Sequence, residues 1–199
     1  MIDTHNPLIP AKAGTQAFLA KGVRPAPLEG NVGLISEADL PPVSQFRRFH
    51  PFIKGVFSQW HPTPFALDGC HFVTAEQWMM FAKARLFDDD ERAKHIIATA
   101  DPAEQERLGQ QVPNFDQDVW DEAKVDIVFR GNRAKFEQNA GALRQLKSTG
   151  DAMLVEANPR DWIWGVGLSI DDPRVHRPDE WRGTTLLGRV LTRVRADLS

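Results

Sequence analysis

The chain has 199 residues, 42% of them apolar and 26% charged, with a net charge of −3. That balance fits a folded domain with its own core and excludes a disordered or fibrous chain; a near-neutral surface leaves room only for a local basic pocket, not for general nucleic-acid binding. Cys70 is the only cysteine, which excludes an intrachain disulfide and a four-cysteine zinc site.

The first residues, MIDTHNPLIPAKAG, lack a basic stretch followed by an apolar run, and no segment reaches the roughly eighteen apolar residues of a membrane span. A cytoplasmic location is expected, with no membrane partner. Residues 1–50 carry Pro7, Pro10, Pro25, Pro27, Pro41 and Pro42 and read as a proline-rich, loop-rich N-terminal extension with one short helix near Thr15–Lys21.

The body, 51–199, opens with IKGVFSQW, which reads as a strand and a turn. HPTPFALDG reads as a loop and CHFVT as a short strand. Thr74 can cap a helix over Ala75–Phe87. Further helices are expected over Asp88–Ala100 and Pro102–Gln111, the second with Pro102 at its first position. Asp116–Asn139 is a long helix that Gly131 can bend or break, and Gly141–Ser148 is a short one closed by Gly150. AMLVEA reads as a strand, and Thr184–Ala196 places Leu187, Val190, Leu191 and Val194 at helical spacing. The expected fold class is α+β, a helix-rich single domain with a few short strands.

Glu76 and Lys83 lie seven residues apart in one expected helix, so they point the same way, roughly 10 Å apart along the axis. A ligand can lie between this carboxylate and this cation; the plain alternative is a first-turn acid and a solvated lysine. The segment from Glu156 to Gly167 is denser, with Asp161, Trp162, Trp164, Gly165 and Gly167 after a turn at Asn158–Pro159. Glycines admit a ligand close to the backbone and tryptophans offer stacking faces; the alternative is a Trp-anchored turn with capping acids. Gly165-Val-Gly167 lacks the third glycine of a dinucleotide fingerprint. Trp120 reads as a core residue. The histidines show no metal-ligand spacing, so no metal is expected. Cys70 beside His71 reads as an incidental buried thiol. Arg189 and Arg193 share a helix face that reads as solvated.

Taken in order, these pieces resemble a known family. VFSQWHPTPFALDGCHFVTAEQWMMFAKARLF resembles the opening of the NADAR (YbiA-like) domain: Phe-Ser-Asn-aromatic, a proline loop, Ser/Thr-Ala-Glu and a lysine seven residues on. KFEQNAGALRQLKSTGDAMLVEANPRDWIWGVGL resembles its central motif, and WRGTTLLGRVLTRVR resembles its close. Trp120 falls at the family's mid-chain Trp. The resemblance covers residues 52–196 and implies a YbiA-like fold and an N-glycosidase without cofactor. Its implied substrates are phosphoribosylamino-pyrimidine intermediates of riboflavin synthesis, or ADP-ribosylated guanine in nucleic acid. Gln59 and Thr185 depart from the family, which usually has Asn at both positions.

C1′–N cleavage builds positive charge on the ribose and needs an acid, a carboxylate and a water. That chemistry assigns Glu76 and Asp161 as the expected acid/base pair and Lys83 as the phosphate-holding or Glu76-orienting cation. Ser58, Gln59, Trp120, Glu156, Trp164 and Gly165 would surround the substrate. Two other classes stand against this: a module that binds ADP-ribose or NAD-derived ligands without turnover, and an interaction protein whose tryptophans only fill the core.

Overall fold

Thr74 begins the central helix of the molecule. In the computed structural model, which describes residues 34–199, its hydroxyl accepts the Gln77 N–H at 3.0 Å and donates to Gln105 Oε1 at 2.7 Å. A side-chain oxygen here satisfies one of the orphan donors of the first turn. Helix α1 (Ala75–Leu86) follows and is buried along most of its length, surrounded by three other helices. These are α2 (Asp90–Ala98), α3 (Pro102–Gln110), with Pro102 in its first turn, and α4 (Gln117–Gln138). The helix expected near Thr15–Lys21 lies outside the described residues.

Gly131 does not break α4. A Cβ there would stand 2.2 Å from the Trp78 ring, so the glycine makes room for an indole whose Nε1 donates to Ile127 O at 2.7 Å. Close approach, not chain bending, explains this glycine. After Asn139 the chain turns into α5 (Ala140–Ser148), and Gly150 follows at φ +62°. Only Arg48 Nη2, 3.5 Å away, borders the space a methyl would fill there. Gly150→Ala should therefore cost about 1 kcal/mol in denaturant unfolding, all of it backbone strain.

The first strand is displaced from its expected place. β1 is Phe49–Phe52, while residues 53–60 turn, with Gly55 at φ +77°. β1 pairs in parallel with β4 (Met153–Glu156), Phe49 opposite Met153 and Phe52 opposite Glu156. It pairs on one edge only, which is why Pro51 is tolerated. A second, antiparallel pair joins β2 (Phe65–Leu67) to β3 (Cys70–Phe72). β2 lies inside the segment that its prolines made read as loop. Helix α6 (Leu186–Asp197) packs on β4 and α4. The main core runs from Leu40 through α1, α4 and α6; a smaller cluster gathers Val155, Val166, Leu168 and Val175.

Arg189 and Arg193 are not a solvated face. Arg189 bonds Glu37 Oε1 at 2.5 Å and Pro41 O at 3.3 Å, and Arg193 donates to Asp39 O at 2.8 Å. They fasten residues 37–41 to α6.

Candidate active site

Ser58, Gln59, Glu76, Lys83, Trp120, Glu156, Asp161 and Trp164 line one cleft of about 280 Å³. Four chain segments far apart in sequence supply them. Met79, Met80, Trp60, Glu106, Gln110 and Asn158 complete the lining. Larger hollows of about 680 and 550 Å³ lie beside Trp181 and Pro42, but neither is lined by a buried carboxyl. A third, of about 440 Å³, contains Asp126, whose carboxylate accepts the Ile35 N–H.

Glu76 occupies the first turn of α1 and is 4% exposed. Its backbone N–H donates to Gln59 O at 3.0 Å. Burial, and then the carboxylates of Glu106, Glu156 and Asp161, push its pKa up from 4.5 to about 8, with Lys83 pulling the other way. Desolvation and like charge both disfavour the ionised form, so Glu76 holds a proton at neutral pH. Two turns on, Lys83 Nζ sits 4.4 Å from the Phe115 ring centroid and 5.4 Å from that of Trp120. Burial lowers its pKa, against the pull of Glu76. The shared direction expected from the seven-residue spacing is present. Trp120 is buried and also walls the cleft.

Glu156 ends β4. Its Oε2 is sealed from solvent and has no partner among the described residues. Burial, followed by the Asp161 charge, raises its pKa to about 8. Asp161 serves the turn as well as the cleft: its Oδ1 accepts the N–H groups of Ile163 and Trp164 at 2.9 and 2.8 Å. Among the described residues nothing engages Oδ2. Gly165 does not line the cleft. A Cβ there would stand 2.9 Å from Asp161 O and 3.1 Å from Glu156 O, so this glycine lets the turn close behind the two acids.

A family model described as the NADAR domain matches residues 45–199. The chain belongs to the NADAR domain family. This NADAR chain is similar to "N-glycosidase R617" of Acanthamoeba polyphaga mimivirus, 41% identical over 147 residues that cover 71% of this chain and 86% of that protein. It is similar to "N-glycosidase YbiA" of Escherichia coli (strain K12) at 28% over 145 residues, 73% and 82% of the two chains. "Riboflavin biosynthesis protein VVA0006" of Vibrio vulnificus is 26% identical over 144 residues, 72% of this chain but 35% of that protein. The solution structure of the Escherichia coli YbiA protein superposes with a TM-score of 0.63 at 26% identity, covering 76% of this chain and 85% of that one. The α+β, helix-rich YbiA-like fold is that of the NADAR family.

The two departures from the family pattern part company here. Gln59 lines the cleft. Thr185 does not: it is fully buried, and its hydroxyl accepts the Glu156 N–H at 3.1 Å, so it supports the acid from behind. Glu106 and Gln110 of α3 join the site without any sequence signal. Lys135 and Asn132 of α4 were also missed. Lys135 is fully buried, donates to Ser58 O at 2.9 Å, and has its pKa pushed down to about 7 by burial. Asn132 donates to Gln59 Oε1 at 2.8 Å. A signal did exist: both polar residues interrupt the apolar stripe Val125, Val128, Phe136 of the same helix. Among the described residues, no group of three His, Cys, Asp or Glu side chains is placed to hold a metal ion, and no helix is long and apolar enough to cross a membrane.

Proposed function

We propose that the protein hydrolyses the C1′–N bond of a phosphorylated ribosyl substrate, either a phosphoribosylamino-pyrimidine or ADP-ribosylated guanine. The observation that carries this reading is a buried Glu76, its pKa pushed up by that burial, sharing one cleft with Glu156, Asp161 and Lys83. The N-glycosidase names of R617 and YbiA support the reaction class, and the riboflavin name of the Vibrio protein supports the first substrate.

In this reading the electron pair of the C1′–N bond passes to the base nitrogen, and the Glu76 carboxyl gives that nitrogen a proton. The ribose carries the positive charge, which the Asp161 carboxylate faces. Water adds to C1′ and loses its proton to a carboxylate of the site. Lys83 holds a phosphate oxygen, Trp120 and Trp164 flank the sugar or base, and the Glu156 carboxyl lines the cleft behind the ribose.

The test is base release from each substrate, followed by mass spectrometry. Release from either supports the reading; retention of both intact while ADP-ribose binds tightly would replace it with the binding module. Because Glu76 acts as an acid with a pKa of about 8 in the free protein, kcat/KM should fall about tenfold per pH unit above pH 8. A profile flat to pH 9.5 would remove Glu76 from this role.

A further inference from the structure

Val128 in α4 has a carbonyl that reaches a side chain one turn ahead. Asn132 Nδ2 donates to Val128 O at 2.9 Å. A backbone carbonyl only accepts, so it fixes which end of the Asn132 amide is nitrogen. The same nitrogen donates to Gln59 at 2.8 Å, so the Gln59 atom that meets it is oxygen. Gln59 Nε2 is thereby turned away, towards Met79 Sδ at 3.9 Å and the cleft. Thioether sulfur is a weak acceptor, so a strong donor is left for a ligand. Asn132 is fully buried, and its Oδ1 has no partner among the described residues. A buried orphan oxygen is costly, and its retention marks an orientation kept for another purpose. The loop is also held at Ser58 O by Lys135 and at Gln59 O by the Glu76 N–H.

We propose that Asn132 is a positioning residue that fixes Gln59 as a hydrogen-bond donor to a carbonyl oxygen on the leaving base. The assignment rests on the N-glycosidase reading and narrows its substrate class to bases with a carbonyl conjugated to the scissile nitrogen. Gln59 and Glu76 are joined through the backbone, so donor and acid address the same end of the substrate. As the C1′–N bond breaks, its electron pair spreads onto that carbonyl, and the Gln59 N–H···O bond strengthens in the transition state. The family's usual Asn would present the same amide with a shorter reach.

The experiment compares wild type with Gln59→Met and Asn132→Asp on matched phosphorylated N-ribosides, ADP-ribosylated guanine against its 2-aminopurine counterpart and the pyrimidinone against its deoxo form. Binding of guanosine and 2-aminopurine riboside 5′-monophosphates is measured in parallel by calorimetry. Asn132→Asp would draw Gln59 Nε2 to the new carboxylate and turn its oxygen to the cleft; Gln59→Met, on the cleft wall, serves if the buried change fails to fold. Wild type should prefer the carbonyl substrate about 100-fold in kcat/KM, with a smaller part of that preference, about threefold to tenfold, already present in Kd. Either variant should shrink that preference by at least about tenfold, leaving the part that the leaving group itself supplies. Equal losses on both members of a pair, or an unchanged preference, would overturn the assignment. If no substrate is cleaved by wild type, the N-glycosidase reading fails on its own, and an unchanged preference in Kd between wild type and Gln59→Met overturns the relay independently.

Discussion

Glu76→Gln should cut kcat by at least 10²- to 10⁴-fold while making the protein more stable at alkaline pH. The catalytic loss follows from removing the proton donor with little change of shape. The gain follows from linkage. Glu76 keeps its proton to about pH 8 in the folded state but releases it near 4.5 when unfolded. Between these values the folded state binds more protons, so its stability falls as pH rises and the penalty is complete above pH 8. Gln carries no such penalty. The variant should match wild type near pH 4 and exceed it at pH 9 by roughly 5 kcal/mol, read from denaturant midpoints. Glu156 adds a penalty of the same sign over the same window. Lys135, with its pKa lowered from 10.5 to about 7, acts the other way: the folded state binds fewer protons above pH 7, so stability recovers towards 10.5. Turnover near that of wild type in a folded Glu76→Gln protein would end the assignment of Glu76 as the acid.

Gly188→Ala should lower stability by about 3 kcal/mol, or roughly 6–12 °C in Tm, although Ala is the better helix former. A Cβ at Gly188 would stand 2.1 Å from Leu154 O and 2.7 Å from Thr185 Oγ1. Neither neighbour can give. Leu154 belongs to the strand paired with β1, and the Thr185 hydroxyl holds the Glu156 N–H. Helix α6 must lift from β4, and Glu156 moves with it, so kcat should fall along with Tm. Gly141 in α5 makes the control: only Arg144 Nη2, 3.8 Å away, borders its free side, and Gly141→Ala should not destabilise. Equal midpoints for the two variants would refute the close contact between α6 and β4.

What was legible in the sequence was what neighbouring residues decide among themselves. Thr74, Asp101–Pro102 and Gly150 each do the local work their types suggest, so the helices they bound stand close to their expected limits. Glu76 and Lys83 share a cleft because two turns of one helix set their direction. Tertiary contact decides the rest. Gly131 reads as a breaker until the Trp78 ring is seen against it. FHPF straddles the expected boundary between extension and body, and only β4 makes it a strand. Asn132 and Lys135 read as ordinary helix residues because the carbonyls and amide they hold belong to residues more than seventy positions earlier. Gly165 reads as a glycine close to a ligand, but it lies close to the backbone behind the acids.

The pairing of β1 with β4 also governs when the molecule can work. The two strands are separated by roughly a hundred residues of chain, and α6 must still close over β4. Contacts of such long range form late, after the loop between them has been gathered in. During synthesis, α1 to α4 can assemble first, with Glu76 and Lys83 already in place on their helix. Glu156 and Asp161 join them only after β4 and the turn behind it have emerged. A nascent chain that stops short of β4 therefore carries half a cleft, with Glu76 and Lys83 but neither Glu156 nor Asp161.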